Sequence, residues 1–186
     1  SCPFDRYVSS SSICAHNGGI VAFGTNSEVS YTSNYSTWLH GDMGANGFTV
    51  TGSISTNKLV VCGRRHYIKD QDGYTEKTET AQIFDSITGE PNTYAMIYSQ
   101  GNTPSGFNNI RYFPNADIGN HSLAPICVAV GDMFGQPFAV YSTDLGETFT
   151  EIPIPANLYG SFFDVEYEPS SKTWYFGTNG TIAIAD

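Results

Sequence analysis

Residues 142–149 read Ser-Thr-Asp-Leu-Gly-Glu-Thr-Phe, an Asp-x-Gly sequence followed by a threonine and an aromatic residue. The side chain of Asp144 can accept hydrogen bonds from the backbone amides that follow it, and Gly146 tolerates the positive φ of a tight turn. Phe149 can then point inward as the next strand begins. The pattern predicts a β-hairpin turn between two antiparallel strands.

A second pattern occurs near both ends of the chain. Phe-Gly-Thr-Asn at residues 23–26 recurs at 176–179, and each copy lies between two β-rich runs. Two further apolar runs end in glycine, so the candidate equivalent positions are Gly24, Gly63, Gly131 and Gly177, separated by 39, 68 and 46 residues. Units of four short strands recur at roughly 40 to 50 residues in β-propellers. The spacing therefore predicts a repeated four-stranded unit with one enlarged copy.

Helical periodicity is nearly absent, and turn residues separate short apolar runs along the whole chain. Strands are predicted at 9–15, 19–24, 27–33, 47–54, 58–69, 77–85, 93–98, 108–113, 125–131, 137–142, 148–153, 162–167, 172–177 and 181–185. They group into units at 9–45, 46–104, 105–160 and 161–186. The last unit lacks an outer strand, which the segment around Phe4, Tyr7 and Val8 can supply by pairing the two chain ends.

These observations predict an all-β fold. We expect one domain over residues 1–186, a small β-propeller of three to four blades built from four-stranded antiparallel sheets. A β-sandwich is the alternative, because evenly spaced short strands also occur in that architecture.

Charge and composition limit the classes of partner. Eight lysines and arginines face eighteen aspartates and glutamates, which gives a net charge of −10. A field of this sign repels nucleic acid and anionic membrane surfaces and attracts cations. No apolar run is long enough to cross a bilayer, so we expect no membrane insertion. The chain begins at Ser1 without an initiator methionine, and we interpret it as the C-terminal receptor-binding part of a longer protein.

The turn at 142–149 resembles the Asp-box, or bacterial neuraminidase repeat, of a family of β-propellers. Residues 32–38 and 85–94 carry partial versions of the same motif. In that family the box is a structural hairpin, so the resemblance implies a scaffold role for Ser142, Asp144, Gly146 and Phe149. The family includes sialidases, receptor ectodomains and phage adhesins, and the fold therefore leaves the function open.

The low lysine content, acidic charge and abundant Asn, Thr and Tyr resemble those of the receptor-binding heads of phage spike proteins of the corticovirus type. This resemblance implies a virion-surface or extracellular protein that attaches to a bacterial cell-surface receptor. It also implies calcium as a structural ion, and other spike or capsid proteins as partners of an N-terminal part.

Sialidase-type catalysis requires three arginines around one carboxylate. The chain has Arg6, Arg64, Arg65 and Arg111, and two of them are adjacent. Adjacent side chains in a strand point to opposite faces, which opposes a three-arginine site. We therefore expect no enzymatic activity, and the four histidines receive no catalytic role.

A calcium site is predicted at the polar hairpin of residues 70–76. Asp70, Asp72 and Glu76 place three carboxylates within seven residues, and oxygen atoms are the ligands that Ca²⁺ prefers. The alternative is a solvated hairpin tip, since the full EF-hand spacing is missing.

Loop aromatics with neighbouring amides predict the ligand contacts. Aromatic rings stack on the C–H faces of sugars while amides bind hydroxyl groups. The candidates are Tyr35, Tyr74, Asn108 and Asn109.

The four cysteines indicate one disulfide and two buried thiols. Cys62 and Cys127 lie in apolar strands and are interpreted as small core residues. Cys2 and Cys14 flank a short polar segment, and we expect a disulfide between them if the protein is exported.

The sequence thus predicts a non-catalytic adhesion domain that binds a host cell-surface receptor, with a glycan as the expected ligand. A sialidase-like glycoside hydrolase, or a fragment of one, is the alternative. A structural propeller that binds only protein is a third possibility.

Overall fold

The fold is described from a computed structural model, which covers residues 12–71, 74–101 and 103–185, without the side chains of residues 67–78. Within these ranges the chain forms fifteen strands in four antiparallel sheets and no helix. In particular, these ranges contain no helix with the length and apolar character needed to cross a membrane.

Each sheet is a meander whose strands follow one another in chain order. The first sheet contains β1 (Ser12–His16), β2 (Gly19–Phe23), β3 (Glu28–Thr32) and β4 (Leu39–Asp42). The second contains β5 (Phe48–Ser55), β6 (Leu59–Gln71), β7 (Tyr74–Ser86) and β8 (Ala95–Ser99). The third contains β9 (Ser105–Ile118), β10 (His121–Met133), β11 (Gln136–Ser142) and β12 (Thr150–Glu151). The fourth contains β13 (Asp164–Glu168), β14 (Thr173–Gly177) and β15 (Ile182–Ala185).

The four sheets pack in series and enclose three separate hydrophobic clusters. Phe23 and Val61 belong to the cluster between the first two sheets. Cys62 belongs to the cluster between the second and third sheets, because successive side chains of β6 point to opposite faces. A third cluster, which includes Phe162 and Trp174, fills the space between the last two sheets. A sandwich has two sheets and one core, so the β-sandwich alternative is wrong.

The first strands of successive sheets lie side by side, with β1 against β5, β5 against β9 and β9 against β13. This arrangement of antiparallel meanders, three with four strands and one with three in the described residues, is that of propeller blades, as the sequence predicted. The predicted ring closure involves Phe4, Tyr7 and Val8, which lie outside the described residues. The predicted fourteen strands all occur, and only β4 was missed, because its four residues are all exposed and show no alternation.

The repeated glycines occupy equivalent places within, at the end of, or directly after the second strand of each sheet. Gly63 and Gly131 lie opposite β-bulges in β5 and β9. A Cβ at Gly63 would lie 2.0 Å from the carbonyl oxygen of Thr49, and one at Gly131 would lie 1.8 Å from that of Gly106. Only glycine allows the two backbones to approach so closely.

The bulges connect neighbouring sheets. In each bulge one residue of the first strand has no partner in the second strand, and these residues are Thr51 and Asn108. The Thr51 hydroxyl donates a 2.8 Å hydrogen bond to the carbonyl of Phe107 in the third sheet. The Asn108 amide donates one of 2.7 Å to the carbonyl of Phe162, next to the fourth sheet. Equivalent positions therefore make equivalent inter-sheet bonds.

The cysteines agree with the sequence interpretation only in part. Cys62 and Cys127 are fully buried free thiols, and burial raises the pKa of each to about 12. Cys14 is also a free thiol within the described residues, and Cys2, its expected disulfide partner, lies outside them. Half-burial against the first hydrophobic cluster accounts for Cys14 as a packing residue.

Candidate functional site

The candidate site lies along one edge of the sheet array, which we call the upper edge. At this edge the chain passes from the second strand of each sheet to the third, and in the second sheet β6 and β7 extend beyond it. The residues that directly follow the repeated glycines are Thr25, Arg64, Asp132 and Thr178. The opposite edge, where the first strand turns into the second, is the lower edge.

Arg64 binds two carboxylates and an amide at the upper edge. Its guanidinium lies 3.1 Å from Oε2 of Glu79 and 3.0 Å from Oδ1 of Asp132. It also donates a 2.5 Å hydrogen bond to Oδ1 of Asn108. Planar guanidinium groups suit such forked recognition of carboxylates and amides. The second and third sheets are thereby joined by charged hydrogen bonds.

The same cluster extends to the loop before the fourth sheet. Asn108 donates a 2.7 Å hydrogen bond to the hydroxyl of Ser161, and that hydroxyl donates one of 3.0 Å to Asp132. The side chains of Arg64 and Asp132 keep 26% and 25% of their exposure, so the cluster is accessible to a ligand but partly shielded from water. We call Arg64, Glu79, Asn108, Asp132 and Ser161 the ion-pair cluster.

A pocket of about 550 Å³ opens at the same edge, between the first and second sheets. Its lining consists mainly of hydrogen-bonding residues: Thr25, Asn26, Asn46, Gly47, Thr49, Arg65 and His66. The amide of Gly47 donates a 3.0 Å bond to Oδ1 of Asn26, and Nε of Arg65 donates one of 3.0 Å to the carbonyl of Asn46. These bonds fix the wall of the pocket.

His66 connects the pocket to the ion-pair cluster. The imidazole lines the pocket, and its Nδ1 lies 3.3 Å from Oε1 of Glu79. The pocket and the cluster therefore form one continuous polar surface across three sheets.

The arginine side chains point in different directions, as expected for adjacent residues of a strand. Arg64 reaches the third sheet, whereas Arg65 reaches the loop that follows the first sheet. Arg111 binds Asp164 at 3.3 Å and Glu166 at 2.7 Å in the fourth sheet. In the described part of the chain, no three arginines converge on one point.

The predicted ligand residues are divided between different places. Asn108 belongs to the ion-pair cluster, and Asn109 donates a 3.0 Å bond to Asp164. Tyr35 lies at the lower edge, where its hydroxyl donates a 2.8 Å bond to the carbonyl of Gly18. The structure thus brings the two asparagines together and separates them from Tyr35. Tyr74 begins β7, and its side chain lies outside the described part.

The predicted calcium ligands are only partly covered by the structure. Asp70 and Glu76 lie in β6 and β7, where Asp70 pairs with Thr75 and Glu76 with Lys69. Their side chains are not described, and Asp72 lies outside the described residues. Elsewhere in the described ranges, no group of three acidic, histidine or cysteine side chains forms a metal site.

The Asp-x-Gly turn forms the expected hairpin at the lower edge. The carboxylate of Asp144 accepts bonds from the hydroxyl of Ser142 at 2.7 Å and the amide of Thr148 at 2.9 Å. Partial burial raises the pKa of Asp144, but these hydrogen bonds outweigh it and lower the pKa overall. Gly146 has φ +90° and packs on Val60 of the second sheet. The turn therefore has a structural role, and it also packs the third sheet against the second.

The pairing of Arg64 with Asp132 was not predicted, although the sequence contains a signal for it. Both residues follow a repeated glycine, so they occupy the same place in neighbouring sheets. Opposite charges at equivalent positions of adjacent repeats are the pattern that would have identified the pair.

Comparison with known proteins gives only distant structural similarity. No protein-family model matches the chain, and no curated protein matches it. The solved structures that match include the GH32 beta-fructofuranosidase BmSUC1 of Bombyx mori, at 14% identity and a TM-score of 0.44, over 89% of this chain and 39% of that chain. A mutant of the same enzyme in complex with sucrose matches at 13% identity and a TM-score of 0.43, over 90% of this chain and 41% of that one. The chain thus spans about two fifths of these enzymes.

Proposed function

We propose that this domain binds a cell-surface glycan at its upper edge without chemically changing it. The observation that carries the proposal is the continuous polar surface formed by the 550 Å³ pocket and the ion-pair cluster. Amide, hydroxyl, imidazole and guanidinium groups line it, and such groups bind the hydroxyls of sugars.

Two electrostatic features support binding rather than catalysis. The carboxylates of Glu79 and Asp132 are both bound to Arg64, which holds them as partners of a fixed cation. The net charge of −10 also disfavours phosphorylated or nucleic-acid ligands. A neutral saccharide is not repelled by this negative charge, and its binding does not require a free carboxylate.

Glycoside hydrolysis is the second candidate. Glu79 and Asp132 bind the two ends of one guanidinium, so their separation is no greater than the roughly 9.5 Å upper limit for catalytic carboxylate pairs. Release of a fluorogenic group from sialosides or fructosides, abolished in the Asp132→Asn variant, would establish this activity in place of simple binding.

The biological setting is part of the proposal. We infer that the domain is the receptor-binding head of an Asp-box propeller on a virion or an exported protein, and that its receptor is on a bacterial surface. The Asp-x-Gly hairpin supports the family assignment, since its hydrogen bonds and its place between two sheets match a structural role. We also propose calcium as a structural ion at residues 70–76.

An array of bacterial surface polysaccharides and oligosaccharides tests the proposed function. We expect the wild-type domain to bind a subset of the array, and His66→Ala to weaken that binding about fivefold or more, because the pocket loses a hydrogen-bonding wall. His121→Ala is the matched control, since it removes an exposed histidine at the lower edge. Absence of any wild-type binding would refute the proposal, and loss on Tyr35→Ala alone would move the site to the lower edge.

A further inference from the structure

The turn between β10 and β11 combines two unfavourable features in one residue. Phe134 and Gly135 form its two-residue loop, and both have positive φ, at 53° and 72°. These signs belong to the type I′ turn, in which asparagine and glycine are preferred. A bulky aromatic residue in this region of φ is a genuine outlier.

The ring of Phe134 is also 70% exposed to water. An asparagine at this position would relieve the backbone strain and remove the exposed apolar ring at the same time. A strained backbone position that carries an exposed aromatic ring is therefore a candidate for a functional site.

A second exposed aromatic residue lies on the adjoining loop. Tyr159, in the segment that leads into the fourth sheet, is 77% exposed. The amide of Gly160 donates a 3.1 Å hydrogen bond to the carbonyl of Gly135, which ties this segment to the Phe134 turn. The amide of Phe134 donates one of 2.9 Å to the carbonyl of Pro104, which anchors the turn from the other side. The two rings therefore project from neighbouring, mutually fixed loops.

The aromatic pair adjoins the ion-pair cluster. Asp132 precedes Phe134 by two residues, and Ser161 follows Tyr159 by two residues. The hydroxyl of Ser161 donates to Asp132 at 3.0 Å, so the polar ends of the two segments are in contact as well. Exposed rings and partly exposed hydrogen-bonding groups thus occur together at the upper edge, between the third and fourth sheets.

We propose that Phe134 and Tyr159 form a stacking platform for a sugar ring whose hydroxyls bind Asp132 and Ser161. The inference rests on the proposed function and extends its site from the polar surface to two exposed aromatic rings beside the ion-pair cluster. A saccharide fits because one face of its ring presents C–H groups and its edge presents hydroxyls, which match the rings and the cluster respectively. A protein partner is the competing ligand class, and it is distinguished by the test.

The test uses Phe134→Asn in the full chain on the same polysaccharide array, followed by titration of the oligosaccharide that the wild type binds most strongly. We expect binding to fall about fivefold or more, while the melting temperature stays equal or rises because asparagine tolerates the turn. Tyr159→Ala should weaken binding similarly and provides a second variant with no change of turn.

Leu123→Asn is the matched control, because Leu123 is also exposed, has φ 49° and lies on β10 near the lower edge. It should leave oligosaccharide binding unchanged. Unchanged binding by both platform variants, with loss on His66→Ala, would overturn the platform and leave the proposed function intact. No wild-type binding to any saccharide would overturn both, including the case in which the surface captures only protein.

Discussion

Single polar side chains stabilise the irregular parts of this fold, and Asp117 is the clearest example. Its carboxylate accepts a 2.7 Å hydrogen bond from the amide of Leu123 and lies 3.1 Å from Nζ of Lys172. The hydroxyl of Tyr167 donates a further bond of 3.1 Å. The hydrogen bond from the Leu123 amide lowers the pKa of Asp117 most, and the Ser122 hydroxyl and the Lys172 ammonium lower it further. Together they hold this pKa well below its usual range. One carboxylate thereby joins the turn of the third sheet to the fourth sheet.

Asp117 should contribute to the pH dependence of stability. Because its pKa in the folded state is lower than the unfolded value of roughly 3.9, the ionised group stabilises the fold above that pH. This contribution is lost as the pH falls toward the folded-state value. We expect Asp117→Asn to lower the urea midpoint at pH 7 and to flatten its decline between about pH 5 and pH 2.

Urea unfolding of the wild type and the variant at a series of pH values measures this effect. Glu90→Gln serves as the control, because it neutralises a partly exposed carboxylate on another loop. Parallel pH curves for the wild type and Asp117→Asn would contradict the assignment.

At the scale of the strand, the bulges determine how neighbouring sheets contact each other. Each bulge turns one side chain of the first strand toward the next sheet, and a glycine in the second strand allows the approach. Gly131 lies against the backbone of Gly106, whereas Gly177 has no atom closer than 3.8 Å to the position of a Cβ. Glycines at equivalent positions therefore differ in whether the surrounding backbone leaves room for a Cβ atom.

We expect Gly131→Ala to destabilise the domain by about 1 to 3 kcal/mol or more, because the added methyl group overlaps a backbone oxygen that cannot move aside. Gly177→Ala is the matched control at the equivalent position and should cost much less. Thermal or urea unfolding of both variants provides the measurement. Equal losses of stability would show that the close approach at the third sheet is not the constraint.

At the scale of the whole molecule, four sheets in series share a strongly negative charge. The net charge of −10 favours expansion through self-repulsion, which bound cations would offset. The predicted calcium site at residues 70–76 is one place where such a cation would act.

Removal of calcium by EGTA should lower the melting temperature by several degrees, since a ligand that binds only the folded state shifts the unfolding equilibrium. Addition of excess CaCl₂ should restore it, and NaCl at equal ionic strength controls for general screening. A melting curve that EGTA leaves unchanged would remove calcium from the description of this protein.

The strand pattern and the turn chemistry could be predicted because both depend on neighbours in the sequence. The apolar runs of β6 and β10, the Asp144 turn and the glycines of the second strands are all readable from short segments. β4 could not be predicted, since its four residues are all exposed and show no apolar alternation. The ends of β9 and β10 at residues 114–118 and 121–124 were missed as well, and most of their side chains are likewise exposed or only half-buried.

The amino-acid sequence by itself determined the all-β class, the four units and the structural role of the Asp-x-Gly turn. Only the tertiary structure decided that Arg64 binds Asp132, that Asn108 and Tyr35 lie at opposite edges, and that the segment of Tyr159 is hydrogen-bonded to the turn of Phe134. The physical reason is separation along the chain. Strand patterns and turns arise from residues that are close in the sequence, whereas these contacts depend on how successive sheets stack. That stacking is set jointly by three hydrophobic clusters and two bulges, which no single segment of the chain contains.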